Sequence, residues 1–196
     1  MRIITGIAKG TRLKVPKGLD VRPTADRVKE SMFNILANFT SPSNTNIIRE
    51  ARVLDLFAGT GNLGLEALSR GAGYSLFIDL SPVSLAVIKD NIRHARLDAV
   101  AEVRKGDALK AVDKLAAQGQ SFALVFVDPP YNQGLVNAAL LKLDTLDIVE
   151  PGGVIVVEHS KHEPVNGGWK YLQSVRTEHY GETFVTFLMR ECANTI

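Results

Sequence analysis

Beyond residue 52, short apolar runs alternate with stretches in which apolar side chains recur every three or four positions. Runs at residues 53–57, 74–79, 102–105, 122–127 and 154–158 predict strands. Residues 62–70, 82–96, 108–117 and 134–143 predict the intervening helices, the second with Pro82 in its first turn. Two further runs, 171–179 and 183–190, meet at Tyr180-Gly-Glu182 without room for a helix, which predicts an antiparallel pair. Upstream, residues 2–15 carry β-like pieces around Gly6 and Gly10 and predict a small hairpin, and Gly18 and Pro23 mark a loop. Val28, Met32, Ile35, Leu36 and Phe39 then fall at helical spacing, behind Thr24 or Asp26 as a cap. Residues 40–51 are turn-rich and read as a linker. Strands alternating with helices predict an α/β fold, a doubly wound and mostly parallel sheet covered on both faces. The expected organisation is a basic extension of hairpin plus helix over 1–40, followed by a main domain over 41–196.

Composition changes this picture little. The 196 residues are 45% hydrophobic and 22% charged, which is ordinary for one globular domain. Cys192 is the single cysteine, so neither an internal disulfide nor a cysteine-built zinc cage is available. The apolar runs are strand-sized, far below the roughly 20 residues of a spanning helix. With no signal-like opening, the expected compartment is the cytoplasm.

Charge changes it more. Residues 1–30 hold eight Lys/Arg against three acids, net +5, while the remainder holds 15 against 18, net −3. A basic arm on a mildly acidic body predicts either a polyanionic partner or a solvated N-terminal face.

Ligands of such sheets sit beyond the carboxyl ends of the strands, where strand order reverses. The loop after the first strand reads Asp55-Leu-Phe-Ala-Gly59-Thr-Gly61-Asn-Leu-Gly64, and Asp79 lies 20 residues beyond Gly59. This satisfies the dinucleotide pattern and admits a nicotinamide dehydrogenase. Asp55 tilts the balance, because a carboxylate beside a pyrophosphate is unfavourable. It suits a ligand carrying an ammonium, such as S-adenosylmethionine. Asp79 would then accept from the ribose hydroxyls. Asp107, ending the third strand, would bind the adenine amine, cap the next helix, or do both.

The fourth strand ends in Asp128-Pro129-Pro130-Tyr131. Two prolines stiffen the turn and remove two donors. The corner presents the Asp128 carboxylate and the Pro129 carbonyl, two acceptors able to hold an exocyclic –NH2 by both hydrogens. An aryl amine attacks poorly because its lone pair is delocalised. Two acceptors favour a tetrahedral nitrogen and aim its lone pair at a sulfonium methyl. Tyr131 would stack on a base swung out of its helix. A dehydrogenase has no evident use for this element.

Asp55-x-Phe-Ala-Gly-Thr-Gly followed by Asp-Pro-Pro-Tyr resembles the class I S-adenosylmethionine-dependent methyltransferases acting on exocyclic amines. Three further stretches resemble the bacterial 16S ribosomal RNA guanine-N2 methyltransferase family. They are Arg2-Ile-Ile-x-Gly6…Lys9-Gly10…Leu13, Arg22-Pro-Thr-x-Asp-Arg27-Val-Lys-Glu30-Ser-x-Phe-Asn-Ile-Leu36, and Gly64-Leu-Glu-Ala-Leu-Ser-Arg-Gly71-Ala. With Tyr180-Gly-Glu, the matches run almost end to end. The resemblance implies a seven-stranded Rossmann-like sheet and methyl transfer to N2 of a guanine in 16S rRNA. It also implies action on an assembled or assembling small ribosomal subunit. Position 79 is Asp where this family commonly has Glu, which requires a closer approach to the ribose.

The site expected from these readings has Asp128, Pro129, Pro130 and Tyr131 at the reacting amine. Asp55, Phe57, Gly59, Gly61, Asp79, Leu80, Asp107, Ala108 and Thr24 are expected around the donor. Arg12, Lys14, Lys17, Arg22 and Arg27 are expected on RNA phosphates, with Arg22 and Thr24 alternatively lining the donor pocket. No metal is expected, since His94, His159, His162 and His179 lack ligand spacing. Glu158 is read as a strand-end surface acid, with an approach to the pocket as the alternative. Two other functions stay open: a DNA adenine-N6 methyltransferase, which shares Asp-Pro-Pro-Tyr, and a non-catalytic rRNA-binding assembly factor.

Overall fold

The computed structural model describes residues 1–16 and 24–192, with the side chains of Thr24 and Ala25 outside that description. Helix α1 (Thr24–Leu36) precedes the alternating part of the chain. That part runs β1 (Arg52–Asp55), α2 (Asn62–Ser69), β2 (Tyr74–Asp79), α3 (Pro82–Ala95), β3 (Ala101–Lys105) and α4 (Ala108–Ala117). It continues with β4 (Phe122–Val127), α5 (Leu135–Thr145), β5 (Val149–Ser160), β6 (Leu172–Tyr180) and β7 (Thr183–Arg190).

All seven strands form one sheet in the order β3-β2-β1-β4-β5-β7-β6. Strands β1 to β5 pair in parallel, and β7 lies antiparallel to both β5 and β6. The expected fold class is therefore borne out. Order reverses between β1 and β4, because the chain builds outward through β2 and β3 and then returns to the other side of β1. The crevice at the carboxyl ends of β1 and β4 is the topological switch point.

Alternate residues of each strand feed opposite faces. Val53, Phe77, Phe126, Val156 and Phe187 pack beneath α1, α2 and α3. Leu54, Leu76, Val125, Val157 and Leu188 pack beneath α4 and α5. Helix α2 lies very close to β2 because Gly64 lacks a side chain; a Cβ there would sit 2.3 Å from Phe77 Cε1. Among the described residues no helix is long and apolar enough to cross a membrane.

Two expectations change in detail. Strand β5 begins at Val149, five residues early. The turn signal Pro151-Gly-Gly153 lies inside it as a bulge, so two residues of β4 span five of β5. Gly152, at φ +74, accommodates the irregular backbone. The opening segment is a hairpin of minimal size, with an isolated antiparallel bridge between Arg2 and Arg12. Its core hydrogen bonds run Ile3 N to Thr11 O, 3.0 Å, and Gly10 N to Ile3 O, 2.9 Å.

That hairpin and α1 share a core with the sheet. Ile3, Leu13, Met32 and Phe33 are buried in the same cluster as Val53 and Phe126. Polar bonds fix the hairpin as well. The fully buried Glu66 carboxylate accepts from Ile4 N at 2.7 Å and Thr5 N at 3.1 Å. Lys29, also buried, donates to Arg2 O and Asn62 Oδ1, each at 2.6 Å, and lies 3.4 Å from Glu66. Burial pulls the Lys29 pKa down, while Glu66 and Asp26 oppose that shift. One of the eight bases counted in the N-terminal arm is therefore inside the protein.

Candidate active site

A cavity of about 790 Å³ opens at the switch point. That size suits a drug-sized or cofactor-sized ligand. Its lining comes from the carboxyl ends of all five parallel strands: 55–60 after β1, 79–81 after β2, 106–109 after β3, 128–130 after β4, and Glu158 near the end of β5. α1 contributes Lys29 and Met32, and Met1 closes the same side.

The glycine loop is held by acids rather than merely flanked by them. Asp55, almost fully buried, accepts from Gly64 N at 3.0 Å across the start of α2. Burial pushes its carboxyl up to about 7; the Gly64 N–H opposes that shift and Asp79 adds to it. Asp79 accepts from Gly59 N and Ser81 N, each at 2.8 Å, so one carboxylate ties the β1 loop to the β2 loop. Gly61 stands at φ +77, a left-handed conformation natural to glycine, as the residue before α2. Asp107 accepts from Lys110 N at 2.9 Å as the cap of α4 and also lines the cavity, so both roles considered for it are compatible. Asn91 joins three segments, with its amide nitrogen donating to Lys14 O and Thr60 O.

The proline corner is built differently. Val127 pairs with Val157, so Asp128 and Glu158 sit side by side, one residue further along parallel neighbours. Both line the cavity. Burial raises the Asp128 carboxyl well above its usual range, and the charges of Glu158 and then Asp55 add to this. Tyr131 donates its hydroxyl to Glu158 Oε1 at 2.8 Å and lies 3.2 Å from Thr183 Oγ1. Burial and the Glu158 charge push that phenol above its ordinary value. The backbone beyond is pinned by the buried Glu163, which accepts from Asn132 N at 2.6 Å and Val136 N at 3.4 Å.

The structure brings Asp55, Phe57, Gly59, Asp79, Leu80, Asp107, Ala108, Asp128, Pro129 and Pro130 into one cavity wall. Gly61 and Tyr131 are not part of that lining, and the Tyr131 hydroxyl is bonded to Glu158. Arg12, Lys14 and Arg27 are exposed and away from the cavity, and Lys14 is paired with Asp90 at 2.9 Å. Lys17 and Arg22 lie outside the described residues, as does the Thr24 side chain. Glu158 was not placed in the site by its sequence position; the register of β5 against β4 puts it there. Lys29 likewise enters through long-range packing, which no local pattern announces, whereas Asn62 follows directly from the glycine loop. Among the described residues no cluster of potential metal ligands is present.

Five carboxylates therefore face the cavity: Asp55, Asp79, Asp107, Asp128 and Glu158. Among the described lining residues the one cationic side chain is Lys29, already bonded to Asn62 and Arg2. Such a lining repels a pyrophosphate and attracts a cationic ligand. This removes the support that the glycine pattern alone gave to a dinucleotide.

The strand order and the switch-point cavity define a class I methyltransferase fold. The solved structure of YhhF from Escherichia coli shares that fold with a TM-score of 0.82 and 31% identity over 98% of both chains. The family model described as Conserved hypothetical protein 95 matches residues 1–189, and the chain belongs to this family. YlbH of Bacillus subtilis is 37% identical over 185 residues, covering 94% of this chain and 96% of that protein. Ribosomal RNA small subunit methyltransferase D of Escherichia coli is 37% identical over 163 residues, covering 81% of this chain and 71% of the relative. The family resemblance read from the sequence is borne out by these matches.

Proposed function

We propose that the protein transfers a methyl group from S-adenosylmethionine to the exocyclic N2 of a guanine in 16S ribosomal RNA. The carrying observation is the pairing of an acid-lined cavity with the Asp128–Pro129 corner at its edge. The relatives' names support ribosomal RNA as the substrate class.

The cavity fits the donor chemically. Asp55, in the cavity wall, would meet the donor's ammonium, and Asp79 and Asp107 are acceptors suited to ribose hydroxyls and an adenine amine. Bound there, S-adenosylmethionine supplies an electrophilic methyl whose carbon–sulfur bond breaks as the new nitrogen–carbon bond forms. The Asp128 carboxylate and the Pro129 carbonyl hold the two hydrogens of the target amine. As the nitrogen gains its methyl it becomes acidic and must lose one proton. The Asp128 carboxylate at the cavity edge would take it, and it need not be a strong base because the methylated nitrogen is itself acidic. Arg12, Lys14, Lys17, Arg22 and Arg27 supply phosphate contacts that position RNA without reading sequence. The proposed setting is a small ribosomal subunit, assembled or assembling, in the cytoplasm.

Labelled donor with unmodified small subunits, free rRNA or duplex DNA tests the reading. Label in N2-methylguanine is the expected result. Label in N6-methyladenine of DNA would replace the substrate. An absence of label with retained rRNA binding would replace catalysis by an assembly role.

A further inference from the structure

The mechanism above uses Asp128 and Pro129 and leaves the second acid of the corner unexplained. Glu158 lies beside Asp128 because Val157 pairs with Val127 in a parallel register, where neighbouring strands run about 4.8 Å apart. Both side chains line the same cavity. The Glu158 carboxylate is also oriented. Tyr131 donates to its Oε1 at 2.8 Å, and Thr183 stands 3.2 Å from the same hydroxyl on the neighbouring β7.

A second carboxylate beside a first is costly in a half-dry cavity, because the two charges repel and both lose hydration. Holding Tyr131 does not require it, since Thr183 already offers that hydroxyl an oxygen. An arrangement of two adjacent acceptors does match one feature of nucleobases. Guanine carries two donors side by side on one edge, N1–H and the N2 amine. Adenine carries its N6 amine beside N1, which bears a lone pair.

We propose that Glu158 accepts the N1–H of the target guanine while Asp128 and Pro129 hold its N2 amine. This rests on the function proposed above and deepens it by assigning base specificity. The Tyr131–Glu158 hydrogen bond makes Tyr131 a positioning residue, aiming the carboxylate rather than touching the reacting atoms. A carboxylate has lone-pair sites on both oxygens, so accepting from Tyr131 is compatible with accepting from a base. An adenine entering the same corner would set its N1 lone pair against a negative charge. Rejection by an unmatched buried polar group is far stronger than rejection by size alone.

The test replaces the mapped target guanine by 2-aminopurine, which keeps the 2-amine but has a lone pair at N1. Small subunits reconstituted with either RNA are given to the full-length protein and to Glu158→Gln. The wild type is expected to methylate guanine at N2 and 2-aminopurine about 100-fold more slowly. In Glu158→Gln the guanine rate falls by more than about tenfold, since a charged hydrogen bond is lost. The gap between the two bases narrows to within about tenfold, because an amide N–H can donate to the N1 lone pair. 2-Aminopurine also lacks O6, but a loss caused by O6 would persist unchanged in the variant. Donor binding by calorimetry and the melting temperature are expected to match the wild type. If Glu158→Gln melts early, Glu158→Ala takes its place in the same two-base comparison, where loss of the N1 acceptor should also narrow the gap. Equal wild-type rates on both bases, or an undiminished gap in a folded variant, overturn the assignment of Glu158. Absence of N2 methylation on guanine itself overturns the parent reading, and this one falls with it.

Discussion

The glycine loop and the proline corner sit at adjacent strand ends and both are rich in acids, yet they use them differently. In the glycine loop the carboxylates are tied to backbone N–H groups: Asp55 to Gly64, and Asp79 to Gly59 and Ser81. These acids shape the loop and line the cavity at once. In the corner the backbone is stiffened by Pro129 and Pro130 instead, so Asp128 need not brace it, and Glu158 bonds a side chain, the Tyr131 hydroxyl. One acid pair holds a ligand site open, and the other faces the place where chemistry would occur. Removing a loop acid should therefore cost binding and stability together, whereas removing a corner acid should cost turnover alone.

The largest expected effect is in the corner. Asp128→Ala should reduce methyl transfer by about 10³-fold while donor affinity stays within a few-fold, as measured by single-turnover rates and calorimetry. Near-normal turnover would remove Asp128 from the mechanism and erase the contrast. Asp79→Ala comes next. It strands two backbone N–H groups, so a loss of about 1–3 kcal/mol in stability should accompany a ~10–100-fold weaker donor affinity. Chemical denaturation and calorimetry on the same sample read both, and a loss of one without the other breaks the proposed coupling.

A pH series sharpens the loop side. Asp55 titrates near 7 in the free protein against an ordinary 3.8. A bound ammonium favours its ionised form, so the complex holds fewer protons than the free protein. Donor affinity should then rise with pH up to about 7, by at most about tenfold per unit, and level off above. Stability should run the other way. The folded state keeps the Asp55 proton longer than the unfolded chain, so this contribution falls as pH rises from about 4 to about 7. Asp55→Asn should flatten both curves, and curves that stay steep would assign the dependence to another group.

The smallest effects lie on the arm. Arg12→Ala and Arg27→Ala should each weaken RNA binding by only about threefold and lower the salt slope by about one. Point changes are needed here, since deleting residues 1–18 would also strip Ile3, Ala8 and Leu13 from the core.

Much of this was legible in the chain. Strand and helix positions follow from hydrophobic period, and β4 and β7 emerge near their expected bounds. The corner is readable because two prolines constrain the backbone locally, whatever surrounds them. Strand β5 was less legible: Pro151-Gly-Gly153 is a turn signal by composition, and pairing with β4 overrides it as a bulge.

The sequence by itself determined the alternation of elements, the glycine loop and the rigid acidic corner, because each depends on residues close together in the chain. Only the tertiary structure decided that Glu158 stands beside Asp128, that Lys29 is buried against Glu66, and that the opening hairpin belongs to the core. Those outcomes depend on strand register and on packing across long separations. Contacts of that kind leave no periodic trace, because their partners are chosen by the sheet as a whole.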